Sequence, residues 1–373
     1  MKPAPILLAL LLLAPAAAAQ TQGPVRIGLS APLTGPDAAF GQGLRLGAEQ
    51  AVAEINRAGG AGGRKLALVV GDDAGDGRQG VALARRFAAE GISLVVGPLS
   101  SAVTALVAPV YEEAGIVVVT PGATWAPLTG RGLWNLFRTV ASDAQQGALA
   151  GAYLADRYGS GRIALVHDRS SFGRGLADEV ARKLKARGHR EAVFESLPRG
   201  SRDAQDLVAK LKAARVNAIY FGGLAPEGAL LVRSLREAGL DAPVVASDGI
   251  LDRDFAAGAG LAGEGTLMTV TPEPHRLPDP RGVRPVPRTP EAESVAAEAY
   301  AALEILAQGL ARAKSTEGRK VAAALRAGGP FRTIVGEIGF DGRGDPSPSD
   351  VTLRVWRRTP DGRLDYAGND VAP

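Results

Sequence analysis

The chain has 373 residues, 46% hydrophobic and 22% charged, which is material for two cores, since domains usually hold about 100–200 residues. A formal charge of +4 with 5% aromatic residues, and no basic cluster interleaved with aromatics, argues against a nucleic-acid surface. No cysteine is present, so neither a disulfide nor a thiol for lipid attachment is expected.

The opening "MKPAPILLALLLLAPAAAAQ" sets Lys2 before an apolar run that ends in small residues, the layout of a secretory signal peptide over residues 1–19, cut after Ala19. Export without a lipid anchor or membrane helix is the expectation, because no later stretch reaches about 18 uninterrupted apolar residues. Then apolar runs alternate with amphipathic stretches: "VRIGLS", "GLRLGAEQAVAEINRAGG", "KLALVVGD", "RQGVALARRFAAEG", "ISLVVGP", "SAVTALVAPVYEEAG" and "IVVVTPG". Continuous apolar strands between helices predict a parallel sheet covered on both faces.

After "LWNLFRTVASDAQQG" the alternation restarts, with strands at "RIALVHD", "EAVFESL", "NAIYFGG" and "PVVASDG" and helices between them. The fold class is therefore α/β, with two doubly wound parallel-sheet lobes connected near residues 139–142. "TPEPHRLPDPRGVRPVPRTP" carries no apolar period and reads as an extended connector. Two helices follow, "ESVAAEAYAALEILAQGLARA" and "RKVAAALRAGG", then a strand, turn and strand in "GEIGFDGRGDPSPSDVTLRVWRR" that would cross between lobes. The expected division is lobe 1 over 23–142 plus 271–350 and lobe 2 over 143–270 plus 351–373.

Several motifs imitate chemistry. "GAGLAG" at 258–263 satisfies GxGxxG but follows no strand and opens no helix, so the context for a dinucleotide is missing. His167, His189 and His275 are far apart, without carboxylates at ligand spacing, so no metal or other cofactor is expected. His167 and Asp168 read as a strand-end pair bonded to neighbouring turns, and Ser100 and Ser101 lack a nucleophile elbow and an assignable base. An enzyme is not expected.

Parallel sheets bind ligands beyond the carboxyl ends of their strands, where helix N-termini point unpaired N–H groups outward. Ser101, in "LVVGPLSSAV", and Thr124, in "VVVTPGATWA", each set a hydroxyl beside such donors, an arrangement that suits a carboxylate; simple helix capping is the commoner use of both residue types. Asp248 ends "PVVASD", where a carboxylate facing a cleft suits an ammonium group and a plain turn before Gly249 is equally compatible.

The stretches "IGLSAPLTGPDAAFGQGLRLGAEQAVAEINRAGG", "VVGPLSSAVTALVAPVYEEAGI", "TPGATWAPLTGRG", "FRTVASDAQQG", "IALVHDRSSFGRGLADEV" and "YFGGLAPEGALLVRSLREAGL" resemble the substrate-binding proteins of bacterial ABC importers, of the branched-chain amino acid (leucine/isoleucine/valine) type. The resemblance covers nearly the whole mature chain and implies a type I periplasmic-binding fold, with a three-strand hinge and a ligand held between the lobes. It also implies roles: Ser101, Thr124 and the Thr124 N–H on an α-carboxylate, the Gly122 carbonyl and Asp248 on an α-ammonium, and Ala123 lining the same turn. Phe40 and Phe172 match ligand-touching aromatics, Leu224 stands where the family often has tyrosine, and Val295 matches another aromatic position. The side-chain pocket is thus expected to be more apolar and roomier than in relatives. The implied partners are a small amino acid and an ABC permease, with the protein a monomer in the periplasm; the alternative is a sensory module for amides, urea or aromatic and aliphatic acids.

Overall fold

The computed structural model describes residues 23–251, 253–270, 290–347 and 351–371. The signal segment, most of the proline-rich connector and residues 348–350 lie outside the described residues.

The first half runs β1 (Val25–Ala31), α1 (Ala38–Arg57), β2 (Leu66–Asp72), α2 (Gly77–Ala89), β3 (Leu94–Val96), α3 (Ser101–Glu113), β4 (Val117–Thr120), α4 (Pro127–Gly130) and β5 (Leu136–Arg138). Its five strands are all parallel, in the order β2-β1-β3-β4-β5. The second half continues with α5 (Asp143–Tyr158), β6 (Ile163–His167), α6 (Ser171–Ala186), β7 (Val193–Ser196), α7 (Gln205–Ala213), β8 (Ala218–Gly222), α8 (Ala225–Glu237), β9 (Val244–Ala246), α9 (Arg253–Ala259) and β10 (Leu267–Val270). Here the parallel order is β7-β6-β8-β9-β10, the first lobe's order repeated.

The chain then returns: α10 (Pro290–Ala313) and α11 (Gly318–Ala327) pack with α1 over one face of the first sheet. Gly43 and Gly47 make the α1–α10 approach possible, because a Cβ on them would stand 2.3 Å from the Ala292 carbonyl oxygen and 1.9 Å from that of Ala296. Short strands β11 (Phe331–Thr333), β12 (Gly336–Phe340) and β13 (Pro346–Ser347) form a small sheet. Beyond them β14 (Thr352–Val355) joins the second sheet antiparallel to β10, and β17 (Asp370–Val371) flanks it after the pair β15 (Arg357–Arg358) and β16 (Leu364–Asp365).

Each sheet has a core on both faces, so strands such as Leu94–Val96 and Val117–Thr120 are buried throughout. Their continuous apolar character follows from that double covering. The chain passes from the first sheet to the second at 139–142; the other two passages run through 271–289 and 348–350, outside the described residues. Three sequence expectations shift. α1 starts at Ala38 and not near Gly43, and β5 and β10 are strands that the apolar pattern does not announce. Both missed strands have three or four residues, too short for a periodic signal. The GxGxxG imitation runs from the end of α9 through a single 3-10 turn, away from any strand end.

Candidate functional site

In both sheets the strand order reverses beside the first strand of the lobe, β1 and β6, and such switch points open a crevice at the strands' carboxyl ends. The two crevices face each other across one cleft of about 1330 Å³.

The first wall consists of the turns after β3 and β4. Thr120 Oγ1 donates to the Pro98 carbonyl at 2.6 Å and accepts the Ala123 N–H at 3.0 Å, which ties one turn to the other. Ser101 Oγ accepts the Trp125 N–H at 3.2 Å, so its own hydroxyl hydrogen remains available to donate. From behind, the buried Arg138 at the end of β5 donates to the Ala123 carbonyl at 2.9 Å and pairs with Asp345 at 2.6 Å. This wall is therefore set without any ligand. What it leaves open is a set of donors: the Thr124 N–H has no backbone partner among the described residues, and the cap position of α3, Ser100, makes no side-chain cap. Neither Ser101 nor Thr124 caps its own helix, for the residue preceding α4 is Ala126. The Thr124 hydroxyl is buried; it lies near the Asp143 carboxyl without a geometrically satisfactory hydrogen bond to it.

The second wall is acidic. Asp248 follows β9; its Oδ2 accepts from Gln146 Nε2 at 2.9 Å, while its Oδ1 is buried with no partner. Gln146 is oriented in turn by Thr269, whose hydroxyl donates to Gln146 Oε1 at 2.6 Å. Burial pushes the Asp248 carboxyl up to about 6, against the lowering effect of the Gln146 bond. Asp143, the first residue of α5 and fully buried, is pushed up to about 8, first by burial and further by the charges of Asp248 and Glu179, with the Thr124 hydroxyl and Arg138 opposing. Two carboxyl groups thus share a poorly solvated region, and a cation entering the cleft relieves the one that borders it.

Phe172, second in α6, and Leu224, immediately before α8, flank Asp248. Gly249 lets them close up, since a Cβ there would stand 2.2 Å from the Gly223 carbonyl oxygen and 2.9 Å from the Phe172 ring. The lobes also touch. Trp125 packs on Gly175 of α6, where a Cβ would meet its ring at 2.6 Å, and Arg199 reaches Asp37 across the cleft at 3.3 Å.

Of the residues singled out from the sequence, Ser101, Gly122, Thr124 and Phe40 line the cleft from the first lobe, and Phe172, Leu224 and Asp248 from the second. Ala123 is the correction: its side chain is fully buried in the core beneath the turn, and it serves through its backbone, held by Thr120 and Arg138. Val295 lines the cleft, and one turn further along α10 stands Glu298, an acid in a pocket expected to be more apolar. Sequence reasoning also missed Gln146, Asp143 and Arg138. The only signal for them is a polar residue inside or beside an apolar run, as in "LFRTV". His167 and Asp168 bond to their own turn, His167 Nδ1 accepting the Arg169 N–H and Asp168 Oδ1 the Ser170 N–H.

Two similar lobes whose strand ends meet across one cleft define a two-lobed ligand-binding protein. Residues 24–358 match the family described as periplasmic binding protein, and the chain belongs to that family. It is 41% identical to a Leu/Ile/Val-binding protein homolog of Brucella melitensis over 346 residues, 92% of this chain and 93% of the relative. It is 37% identical to the leucine-, isoleucine-, valine-, threonine- and alanine-binding protein of Pseudomonas aeruginosa, over 90% of each chain. The fold matches a type 1 periplasmic binding protein from Bordetella pertussis with a TM-score of 0.79 at 25% identity, over 92% of this chain and all of that one.

Proposed function

We propose that this chain is the extracytoplasmic receptor of an ABC importer, capturing an α-amino acid of branched-chain or other apolar type between its lobes and delivering it to the permease. One observation carries the reading. Unspent donors of Ser101 and Thr124 stand on one wall, and the unpartnered Asp248 Oδ1 stands in the same cleft on the other. In this reading the α-carboxylate takes the Ser101 and Thr124 hydroxyls and the Thr124 N–H, and the α-ammonium takes Asp248 and the Gly122 carbonyl. Each ligand charge then meets a charge-assisted partner where an unpaired one is costly. Phe40, Phe172 and Leu224 enclose the ligand.

Delivery follows from closure. A ligand that touches both walls binds the closed arrangement better than an open one, so it shifts the population toward the form a permease recognises. The lobe division at 142, 270 and 350, the three-strand hinge, a monomeric state and export to the periplasm through residues 1–19 belong to the same proposal. A plain acid or an amide would leave Asp248 unpaired, which favours amino acids over the ligands of a sensory module. A thermal-shift screen of the purified protein over the amino acids and simple carboxylic acids tests it, because a ligand specific to the folded state raises the melting point. Leucine, isoleucine or valine should raise Tm, and the acids lacking an amino group should not; a screen in which only those acids stabilise contradicts it.

A further inference from the structure

Glu298 is a carboxyl group that the head-group clamp does not use. It projects from α10 one helical turn beyond Val295 and lines the same cleft as Ser101, Thr124 and Asp248. Its Oε2 is buried and has no hydrogen-bond partner, and the nearby Thr139 hydroxyl is likewise buried and unpartnered. Val140, Val270 and Val295 also line this cleft. A buried polar atom without a partner carries a desolvation cost that a complementary ligand group removes.

Resting on the amino-acid reading above, we propose that Glu298 is a specificity residue. It extends the ligand range from branched-chain side chains to isosteric ones that carry a hydroxyl or a carboxamide, the threonine and asparagine class. Burial pushes this carboxyl up to about 7, so near neutral pH a large fraction carries its proton. A neutral carboxyl both donates and accepts, which matches a hydroxyl or a carboxamide atom for atom. No cation contributes to its environment; the protein group that bears on it is the uncharged Thr139 hydroxyl, which leaves the carboxyl capacity for a ligand group as well.

The test uses isosteric pairs, threonine against valine and asparagine against leucine, titrated by calorimetry into wild type, Glu298→Leu and Glu298→Gln. Threonine and asparagine should bind measurably to wild type. Glu298→Leu should shift both preference ratios toward the apolar member by about tenfold, or about 1.4 kcal/mol, and Glu298→Gln, which keeps a donor and an acceptor, should retain the wild-type ratios. Ratios left unchanged by Glu298→Leu overturn the proposal while leaving the amino-acid reading intact, as does tighter wild-type binding of an ammonium side chain such as ornithine. If neither member of either pair binds, the amino-acid reading fails and this inference with it. Should the leucine variant not fold, wild-type affinity for threonine and asparagine together with the glutamine variant decides the matter, and absence of binding by both polar members with valine bound overturns it.

Discussion

The two walls of the cleft are built on the same strand order but finished differently. On the first, three internal supports, from Thr120, Ser101 and Arg138, fix the turns before any ligand arrives, so donors stand ready at no further ordering cost. On the second, Asp248 has one hydrogen bond, one orphaned oxygen and a second buried acid behind it. One wall is braced from within and keeps free donors, the other keeps an unpaired carboxylate oxygen until a cation reaches it. On the reading proposed here, a ligand with two opposite charges favours closure because the first wall positions it and the second gains most from its arrival.

Breaking the braced wall should have the largest effect. Arg138→Ala removes a buried guanidinium and strands Asp345, and such a broken buried pair typically costs about 3–5 kcal/mol. Urea unfolding of the variant should show a loss of that size together with weakened binding; a loss below about 1 kcal/mol would mean the turn does not depend on it.

Next comes the acidic wall. Asp248→Asn should weaken amino-acid binding roughly a hundredfold, the scale of a charge-assisted bond of about 3 kcal/mol, with no loss of folding stability. Its pH dependence has a definite sign. Free Asp248 takes up a proton near pH 6, and a bound ammonium holds it ionised, so wild-type affinity should fall as pH drops below about 6 while that of the asparagine variant stays flatter. Calorimetry between pH 5 and 8 reads this directly.

Asp143 sharpens the comparison through stability. Folded, it keeps its proton up to about pH 8, whereas unfolded it loses it near its ordinary value of 3.8. Its contribution is therefore fully present below about pH 4 and lost as pH rises toward 8. Asp143→Asn should be more stable than wild type at pH 8, by on the order of 1–2 kcal/mol, with the gap closing toward pH 4 in a series of thermal melts. An equal gap at both ends would place the strain elsewhere.

The smallest effect belongs to the rim. Asp37 and Arg199 join the lobes while both stay partly exposed, so Asp37→Ala should weaken binding only a few-fold, within the roughly 0–1 kcal/mol of a solvated pair. The difference should vanish at high salt; a salt-independent loss would mean that the helix start at Asp37, and not the ion pair, was disturbed.

Much of this was legible in the sequence. Apolar runs such as "LVV" and "VVVT" announce buried parallel strands, and the hydroxyl-bearing turns after them mark the crevice of the first lobe. What was not legible depends on which way a side chain turns. Ala123 and Thr124 are neighbours, yet one faces the core and the other the cleft, a choice made by Thr120 and Arg138. Asp143 and Gln146 read as ordinary first-turn residues of a helix, and only the meeting of α5 with β9 and β10 makes them partners of Asp248. Glu298 sits in a helix rich in alanine with other acids nearby, and nothing local in the sequence marks it as lining the cleft.

The claim at the centre is that the two walls hold opposite ends of one dipolar head group. It is tested most directly by calorimetric titration of the tightest-binding amino acid beside its deamino acid and its carboxamide. The account predicts that each analogue, having lost one charge, binds at least about a hundredfold more weakly. A deamino acid that binds as tightly as the parent would contradict it, because the second wall would then have no part in recognition.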